Sequence, residues 1–261
     1  MSPAAHAATK TVRRSARFVS WVRAWRAGLV PYDEVAGEIA GDEEHLATDV
    51  PGTWTDVPLA EAVAALSKLH PDEVRLVLPV PGDPRGLPGP GPFTGAALIT
   101  GEGVVAGMLG LVPEVRTHTS GSGDTFETVL WRVFALPELT AQRYHDEPSA
   151  AEAEAELSAA LMAATTALTK LDVAQWRPEL AGALQALRKP DNSTDLPPGY
   201  DARARRLYAR ASVLDRVLAL AELSAPGVIN GYEAQQRDAA LRPLTQACRR
   251  ALVAACNAPM I

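Results

Sequence analysis

The sequence predicts an α+β protein in which a small, mainly antiparallel sheet with flanking helices is followed by an all-helical C-terminal bundle. Strand-like apolar runs occur between residues 74 and 136, and helical periodicity takes over from Pro148 onward. Charge also divides the chain into three blocks. We therefore predict a basic amphipathic helix over residues 1–30, an acidic α+β domain over 31–146 and a helical bundle over 147–261.

The charge blocks differ sharply. Residues 1–30 contain six basic residues and no acidic one, whereas 31–146 contain 18 acids and 6 bases. Residues 147–261 contain 13 of each, and the net charge of the whole chain is -6. Because opposite charges attract, we expect the opening block to meet a negatively charged surface, most simply the protein's own acidic block.

The first block has the pattern of a helix that ends at Gly28 and Pro31. One stripe of this helix is apolar and aromatic, comprising Phe18, Trp21, Val22, Trp25 and Leu29, while the predicted polar side carries Arg13, Arg17, Arg23 and Arg26. Three hypotheses remain open: docking on the protein's own core, binding to a membrane surface, or contact with nucleic acid. The candidate binding residues here are Arg13, Arg14, Arg17, Trp21 and Trp25.

The acidic block carries the predicted sheet. Its clearest strand is 74–80, apolar on both faces, and the alternation in 111–119 and 125–136 predicts a hairpin turning at residues 120–124. A further short strand brings the expected total to three or four. Helices are predicted over 32–40, 58–69 and 93–100. The proline-rich segment 79–93 is interpreted as a stiff connection or a site-lining loop, and the acidic segment 41–49 as a solvated loop or a docking surface for the basic helix.

The last block is helical throughout. Ser149 and Glu152 form a predicted capping box at its start. Four apolar stripes follow, and they run through residues 157–171, 173–187, 207–221 and 241–255, with Pro243 as an expected kink. Such stripes bury one another in a bundle, although they also fit a dimer interface.

The chain lacks the spacing that catalysis or metal binding requires. The five histidines stand singly, and no HExxH, CxxC or G-x-S-x-G occurs. We therefore predict no catalytic residue, no metal and no cofactor, and Cys248 and Cys256 are interpreted as small apolar residues of a helix. A polar segment before the bundle adds further candidate binding residues, Arg143, His145 and Asp146.

The expected compartment is the cytoplasm. No apolar run approaches the roughly 20 residues of a membrane-spanning helix, and no secretory signal is evident. The excess of arginine over lysine, with abundant alanine and proline, is typical of GC-rich coding such as that of actinobacteria.

These observations favour a non-enzymatic cytoplasmic protein that acts in protein association or regulation, through a protein partner or self-association. One alternative is an enzyme or sensor that binds a small molecule between sheet and bundle, beside residues 79–93 and 143–147. A second alternative is a protein that binds a membrane surface or nucleic acid through residues 10–29.

Overall fold

A computed structural model describes residues 13–121, 125–137, 147–170, 195–223 and 231–261. The chain divides into two compact units. The sheet unit contains Arg13–Glu147, Leu196–Asp201 and Pro259–Ile261, and the described part of the helical unit lies within Pro148–Asp195 and Ala202–Ala258. Among the described residues, no helix has the length and apolar character needed to cross a membrane.

The sheet unit is built on a six-stranded sheet with the strand order β2-β1-β6-β5-β4-β3. Its strands are β1 (Glu44–Thr48), β2 (Val57–Pro58), β3 (Val74–Val77), β4 (Gly103–Ala106), β5 (Leu109–Thr119) and β6 (Thr125–Ala135). Strand β1 runs parallel to β6, whereas the other neighbouring pairs are antiparallel. The sheet is therefore mixed, and the prediction of a mainly antiparallel sheet of three or four strands is wrong.

The error arises from the acidic segment 41–49, which contributes β1 rather than the solvated loop that its charge suggested. Within β1, His45 and Ala47 are buried while Glu44 is exposed. This alternation is strand-like, but the inward positions hold a histidine and an alanine, so the hydrophobic signal is weak.

Helix α1 (Arg14–Arg26) covers one face of this sheet, and α2 (Tyr32–Ala40) and α3 (Leu59–Ala64) lie beside it. Phe18 packs on Trp131 of β6 with ring centroids 4.7 Å apart. Phe18 and Val22 are buried, as the amphipathic pattern predicted. The helical pattern predicted Arg23 on the polar side, but Arg23 is 0% exposed. A 3-10 turn at Pro71–Glu73 and the adjoining strand β3 contact α1 and supply acceptors for this guanidinium.

Helix α4 (Pro92–Thr100) covers the opposite face. Its Phe93 and Ala97 are buried against Val77, Val105 and Val112. Leu87, from the proline-rich segment, packs against the same cluster, and Val80 pairs with Asp83 in a tight turn. These contacts favour a structural connection over a site-lining loop for residues 79–93.

Strands β5 and β6 form the long hairpin that the sequence predicts, paired from Leu109–Ala135 to Thr119–Thr125. Residues 122–124 of its expected turn lie outside the described residues. The hairpin supplies the two central antiparallel strands of the sheet, so it carries side chains to both covered faces.

The helical unit contains α5 (Ala150–Lys170), α6 (Ala202–Leu223) and α7 (Gly231–Cys256). The capping box at the start of α5 is confirmed, because the Ser149 backbone N–H donates to Glu152 at 2.8 Å and the Glu152 N–H donates to Ser149 Oγ at 3.3 Å. Helix α7 contains Pro243 and packs against both α5 and α6. The helix predicted over 173–187 lies outside the described residues, so the four-helix bundle stays a prediction.

The chain returns to the sheet unit at its C-terminus. The Ile261 N–H donates to the Gly199 carbonyl at 2.9 Å. Gly199 has a φ of +97°, and a Cβ at this position would clash with Leu29 and Met260. The positive φ therefore favours glycine, because any other side chain would strain the backbone and displace the ends of Leu29 and Met260.

Candidate functional site

The basic helix α1 meets the acidic block through a two-point ion pair. Arg14 Nε donates to Glu43 Oε2 at 2.9 Å, and Arg14 Nη2 donates to Glu43 Oε1 at 2.6 Å. Arg17 lies 4.0 Å from Glu38 in a looser ion pair. A guanidinium that meets a carboxylate at two points fixes its orientation as well as its charge. The opening helix therefore docks on the acidic block of its own chain.

Glu43 begins a buried chain of polar contacts that reaches the core. His45 Nε2 lies 3.3 Å from Glu43 Oε2, and Trp131 Nε1 donates to His45 Nδ1 at 3.1 Å. Because an indole nitrogen can only donate, Nδ1 of His45 must be the acceptor. The contacts therefore assign Nε2 of His45 as the donor to Glu43 Oε2.

These contacts also set the charge state of Glu43. Burial by itself would raise its pKa, but the hydrogen bonds from His45 and Arg14 and the charge of Arg14 lower the pKa from 4.5 to about 2. The carboxylate is consequently ionised at any physiological pH. It can hold Arg14 in place, but it is a poor proton donor or acceptor for catalysis.

A second carboxylate receives the N-terminus of α1. The Ser15 backbone N–H donates to Glu102 Oε2 at 2.8 Å, while Arg13, at the N-cap position, makes no side-chain capping bond. Burial raises the pKa of Glu102, although the charges of Arg13 and Arg14 act in the opposite direction. A residue distant in sequence thus satisfies a free N–H group at the helix start.

This buried network anchors α1 and offers little to a substrate. Trp131 is 0% exposed and His45 is 7% exposed, so no reacting molecule reaches them without opening the core. Within the described ranges, no group of three His, Cys, Asp or Glu residues is placed to hold a metal ion. We therefore interpret the network as structural.

The two tryptophans of the candidate set lie at the margin of α1. Trp21 and Trp25 are half-buried. The ring centroids of Trp25 and Tyr32 lie 5.3 Å apart, and the guanidinium of Arg26 lies 5.0 Å from the Trp25 ring centroid. The other candidates, Arg143, His145 and Asp146, lie outside the described residues.

A different surface was not recognised from the sequence. Trp54, in the loop between β1 and β2, is 100% exposed. The two-residue strand β2 joins this loop to α3, and Tyr32 Oη donates to the Ala60 carbonyl at 2.7 Å, which ties α2 to α3. We call this surface the Trp54 face, and it consists of the exposed residues Tyr32, Asp33, Glu34, Asp49, Trp54, Asp56 and Glu61.

The loop that carries Trp54 has a defined conformation. Val50 is buried, and its carbonyl accepts both the Thr53 N–H at 3.0 Å and the Thr53 hydroxyl at 2.9 Å. Asp49 precedes this turn with a φ of 59°, a left-handed conformation that aspartate tolerates better than most residues. The turn therefore holds the tryptophan outward.

The face carries one sign of charge. Between residues 27 and 67 the chain has nine acidic residues and no lysine or arginine. Two of the nine, Glu38 and Glu43, pair with α1. Arg26 reaches the border of the face at Trp25, where its Nε donates to the Leu69 carbonyl at 2.9 Å. A run without basic residues, containing one tryptophan, was the sequence signal that could have identified this surface.

Comparison with known proteins places the chain among relatives of similar length. It is 28% identical to the uncharacterized protein Rv1486c of Mycobacterium tuberculosis H37Rv, across 91% of this chain and 94% of the relative. It is 25% identical to the uncharacterized protein ML1804 of Mycobacterium leprae, with the same coverage. No solved structure matches it. Residues 15–150 match the N-terminal domain of Rv1486c-like proteins and residues 151–253 match their C-terminal domain, so the chain belongs to the Rv1486c-like protein family.

Proposed function

We propose that this protein is a non-enzymatic protein-association module and that it binds a protein partner through the Trp54 face. The observation that carries this proposal is the complete exposure of Trp54 on a turn that holds it outward. A large aromatic side chain in water forgoes the stabilisation that burial would give, on the order of 2 kcal/mol. Exposed tryptophans are enriched among the residues that dominate binding energy at protein interfaces.

The shape of this surface fits a protein better than a small molecule. A binding site for a small molecule encloses most of its ligand in a concave cavity. Trp54 instead projects from a loop and is fully exposed, so it can insert into a partner but cannot enclose a ligand. The enzyme or sensor hypothesis receives no comparable support from the described residues.

The basic helix is less suited to recruit a partner. Arg14 and Arg17 face Glu43 and Glu38 of the same chain, and Arg23 is buried. Binding to a membrane or to nucleic acid through residues 10–29 would require these arginines to leave their carboxylate partners. That hypothesis stays a prediction, with the ion pairs as a physical argument against it.

We retain the cytoplasm as the proposed compartment. Cys248 and Cys256 are both buried and reduced, and Cys248 Sγ donates to the Ala211 carbonyl at 3.1 Å. Thiols that persist in the reduced state are typical of proteins in a reducing compartment.

Site-specific photo-cross-linking tests the proposal. A photoreactive benzophenone amino acid replaces Trp54 in one variant and Ile99 in a control variant. Ile99 is a suitable control because it is 87% exposed and lies on α4, which covers the face of the sheet opposite to α1. In the host cell we expect a discrete protein adduct from position 54 and none from position 99. The adduct is identified by mass spectrometry.

Two results would contradict the proposal. Equal adducts from both positions would show that the cross-links report random collisions. The absence of any adduct from position 54, with the variant folded and expressed at the parent's level, would leave the Trp54 face without a role in association.

A further inference from the structure

We infer that the segment bound at the Trp54 face is rich in arginine and lysine; this inference rests on the proposed function above. The exposed residues that form the face are five carboxylates and two aromatic side chains. Carboxylates and aromatic faces share one preferred partner, a side-chain cation, because both present negative charge to it. The composition of the face therefore predicts the chemistry of the partner segment.

The carboxylates of the face belong to a stretch, residues 27–67, that contains no lysine or arginine. The fold gives Glu38 and Glu43 to α1, while Asp49, Asp56 and Glu61 remain exposed. Like charges gathered on one surface repel one another, and a cationic segment relieves that repulsion when it binds. The complementarity therefore favours association before any specific contact is counted.

Trp54 supplies the specific contact. A guanidinium stacked over an indole ring gains about 0.5–1 kcal/mol at an exposed site and more once water is excluded. The protein already uses this geometry nearby, where Arg26 lies 5.0 Å from the Trp25 ring. A partner arginine at Trp54 would stack on the ring, while Asp49 and Asp56 of the same exposed loop would attract its charge.

The same charges disfavour other occupants. A second copy of the chain would bring carboxylates against carboxylates, and its net charge of -6 would oppose the approach. Anionic lipid and nucleic acid would be repelled for the same reason. A basic protein segment is the remaining occupant that gains from both the charge and the ring.

Fluorescence anisotropy with a labelled peptide tests the inference. The probe is a peptide of about 12 residues in which roughly half are arginine, and the control peptide carries neutral citrulline at the same positions. We expect the arginine peptide to bind the full-length protein at least about tenfold more tightly than the citrulline peptide at ~50 mM salt, with weakening at ~300 mM.

Matched variants separate a specific face from the overall negative charge. Asp49→Asn/Asp56→Asn/Glu61→Gln removes three charges from the face, and Glu127→Gln/Asp195→Asn/Asp238→Asn removes three exposed charges elsewhere. We expect the face variant to weaken binding by about tenfold and the matched variant by less than about twofold. Trp54→Ala, which changes no charge, should weaken it by about fivefold.

Equal losses in the two triple variants, or unchanged binding by Trp54→Ala, would overturn the inference. So would Trp54-dependent retention on vesicles of anionic lipid, which would assign the face to a membrane surface. The cross-linking experiment distinguishes a failure of this inference from a failure of the proposed function. An adduct at position 54 on a partner segment without basic residues would leave protein association standing and remove the cationic partner.

Discussion

The acidic stretch between residues 27 and 67 contains two regions in which carboxylates have different roles. At one end of it Glu38 and Glu43 face the arginines of α1, and Glu43 is further bonded to His45. At the Trp54 face, Asp49, Asp56 and Glu61 are exposed, and so is the whole Trp54 side chain. The charge of this stretch therefore serves the fold only in part. The difference is measurable, because one region should govern stability and the other should govern binding.

The largest effect is expected in the core beneath α1. Trp131→Ala removes a fully buried ring, its packing against Phe18 and its hydrogen bond to His45. We expect a loss of about 3–5 kcal/mol in the free energy of unfolding, measured by urea denaturation with circular dichroism. Trp54→Ala is the control, expected to remain within about 0.5 kcal/mol of the parent. Similar losses of unfolding free energy in both variants would contradict the division into a region that governs stability and one that governs binding.

Arg23 should have the next largest effect. Its guanidinium donates to the Val74 carbonyl at 3.3 Å and to Asp72 at 3.0 Å from a fully buried position. Arg23→Ala leaves the carbonyl without this donor and opens a cavity, so we expect a loss of about 2–3 kcal/mol in urea denaturation. Arg85→Ala breaks an exposed ion pair with Asp83 and should cost less than about 0.5 kcal/mol. A loss no larger than that of Arg85→Ala would contradict the structural role of Arg23.

Glu43 should make stability depend on acid. Because the fold lowers its pKa from 4.5 to about 2, its contribution is present above the ordinary pKa and is lost as the pH falls toward 2. Glu43→Gln should therefore cost about 1–2 kcal/mol at neutral pH, after allowance for solvent screening, and should flatten the acid limb of the stability profile. The control is Glu38→Gln, whose partner Arg17 lies 4.0 Å away. An acid limb that Glu43→Gln leaves unchanged would assign the loss to other carboxylates.

Glu102 should respond in the opposite direction. Burial raises its pKa, so its favourable contribution is present below the ordinary pKa and is lost as the pH rises through the raised value. Glu102→Gln keeps an acceptor for the Ser15 N–H and removes the buried charge, so stability at neutral pH should stay within about 1 kcal/mol or rise. Glu102→Ala removes the acceptor and should cost about 1–2 kcal/mol. A glutamine variant as unstable as the alanine variant would show that the charge itself is required.

The smallest effect is expected at the Trp54 face. Asp49→Asn/Asp56→Asn/Glu61→Gln should change the free energy of unfolding by no more than about 0.5 kcal/mol, because these exposed groups hold no element in place. Thermal unfolding of this variant beside Glu43→Gln gives the comparison directly. A large loss in the triple variant would mean that the face is part of the scaffold.

Local patterns predicted the elements whose partners are near in sequence. The hairpin of β5 and β6, the helix over Tyr32–Ala40 and the capping box at Ser149 are of this kind. The α+β class and the docking of α1 on acidic groups also followed from pattern and charge. In each case the controlling contact is a neighbour in sequence or a bulk electrostatic attraction.

Long-range choices were not predictable from the residues alone. Strand β1 pairs in parallel with β6, with His45 opposite Val129, and nothing in the acidic segment itself indicates that partner. The capping of α1 by Glu102 also joins residues 87 apart. Arg23 was assigned to the polar side because a helical pattern cannot reveal that the turn Pro71–Glu73 and strand β3 cover that side. The Trp54 face was missed because its acids suggested a solvated loop.

The route of the chain has a consequence for how such a protein can change over evolutionary time. The main sheet segment ends at Glu147, yet Leu196–Asp201 and Pro259–Ile261 come back to it, where Gly199 meets Leu29. A recombination event near residue 150 would therefore separate the N-terminal half from the two later segments that complete the sheet unit. We expect the two halves to be inherited together and to tolerate exchange between relatives only as a pair.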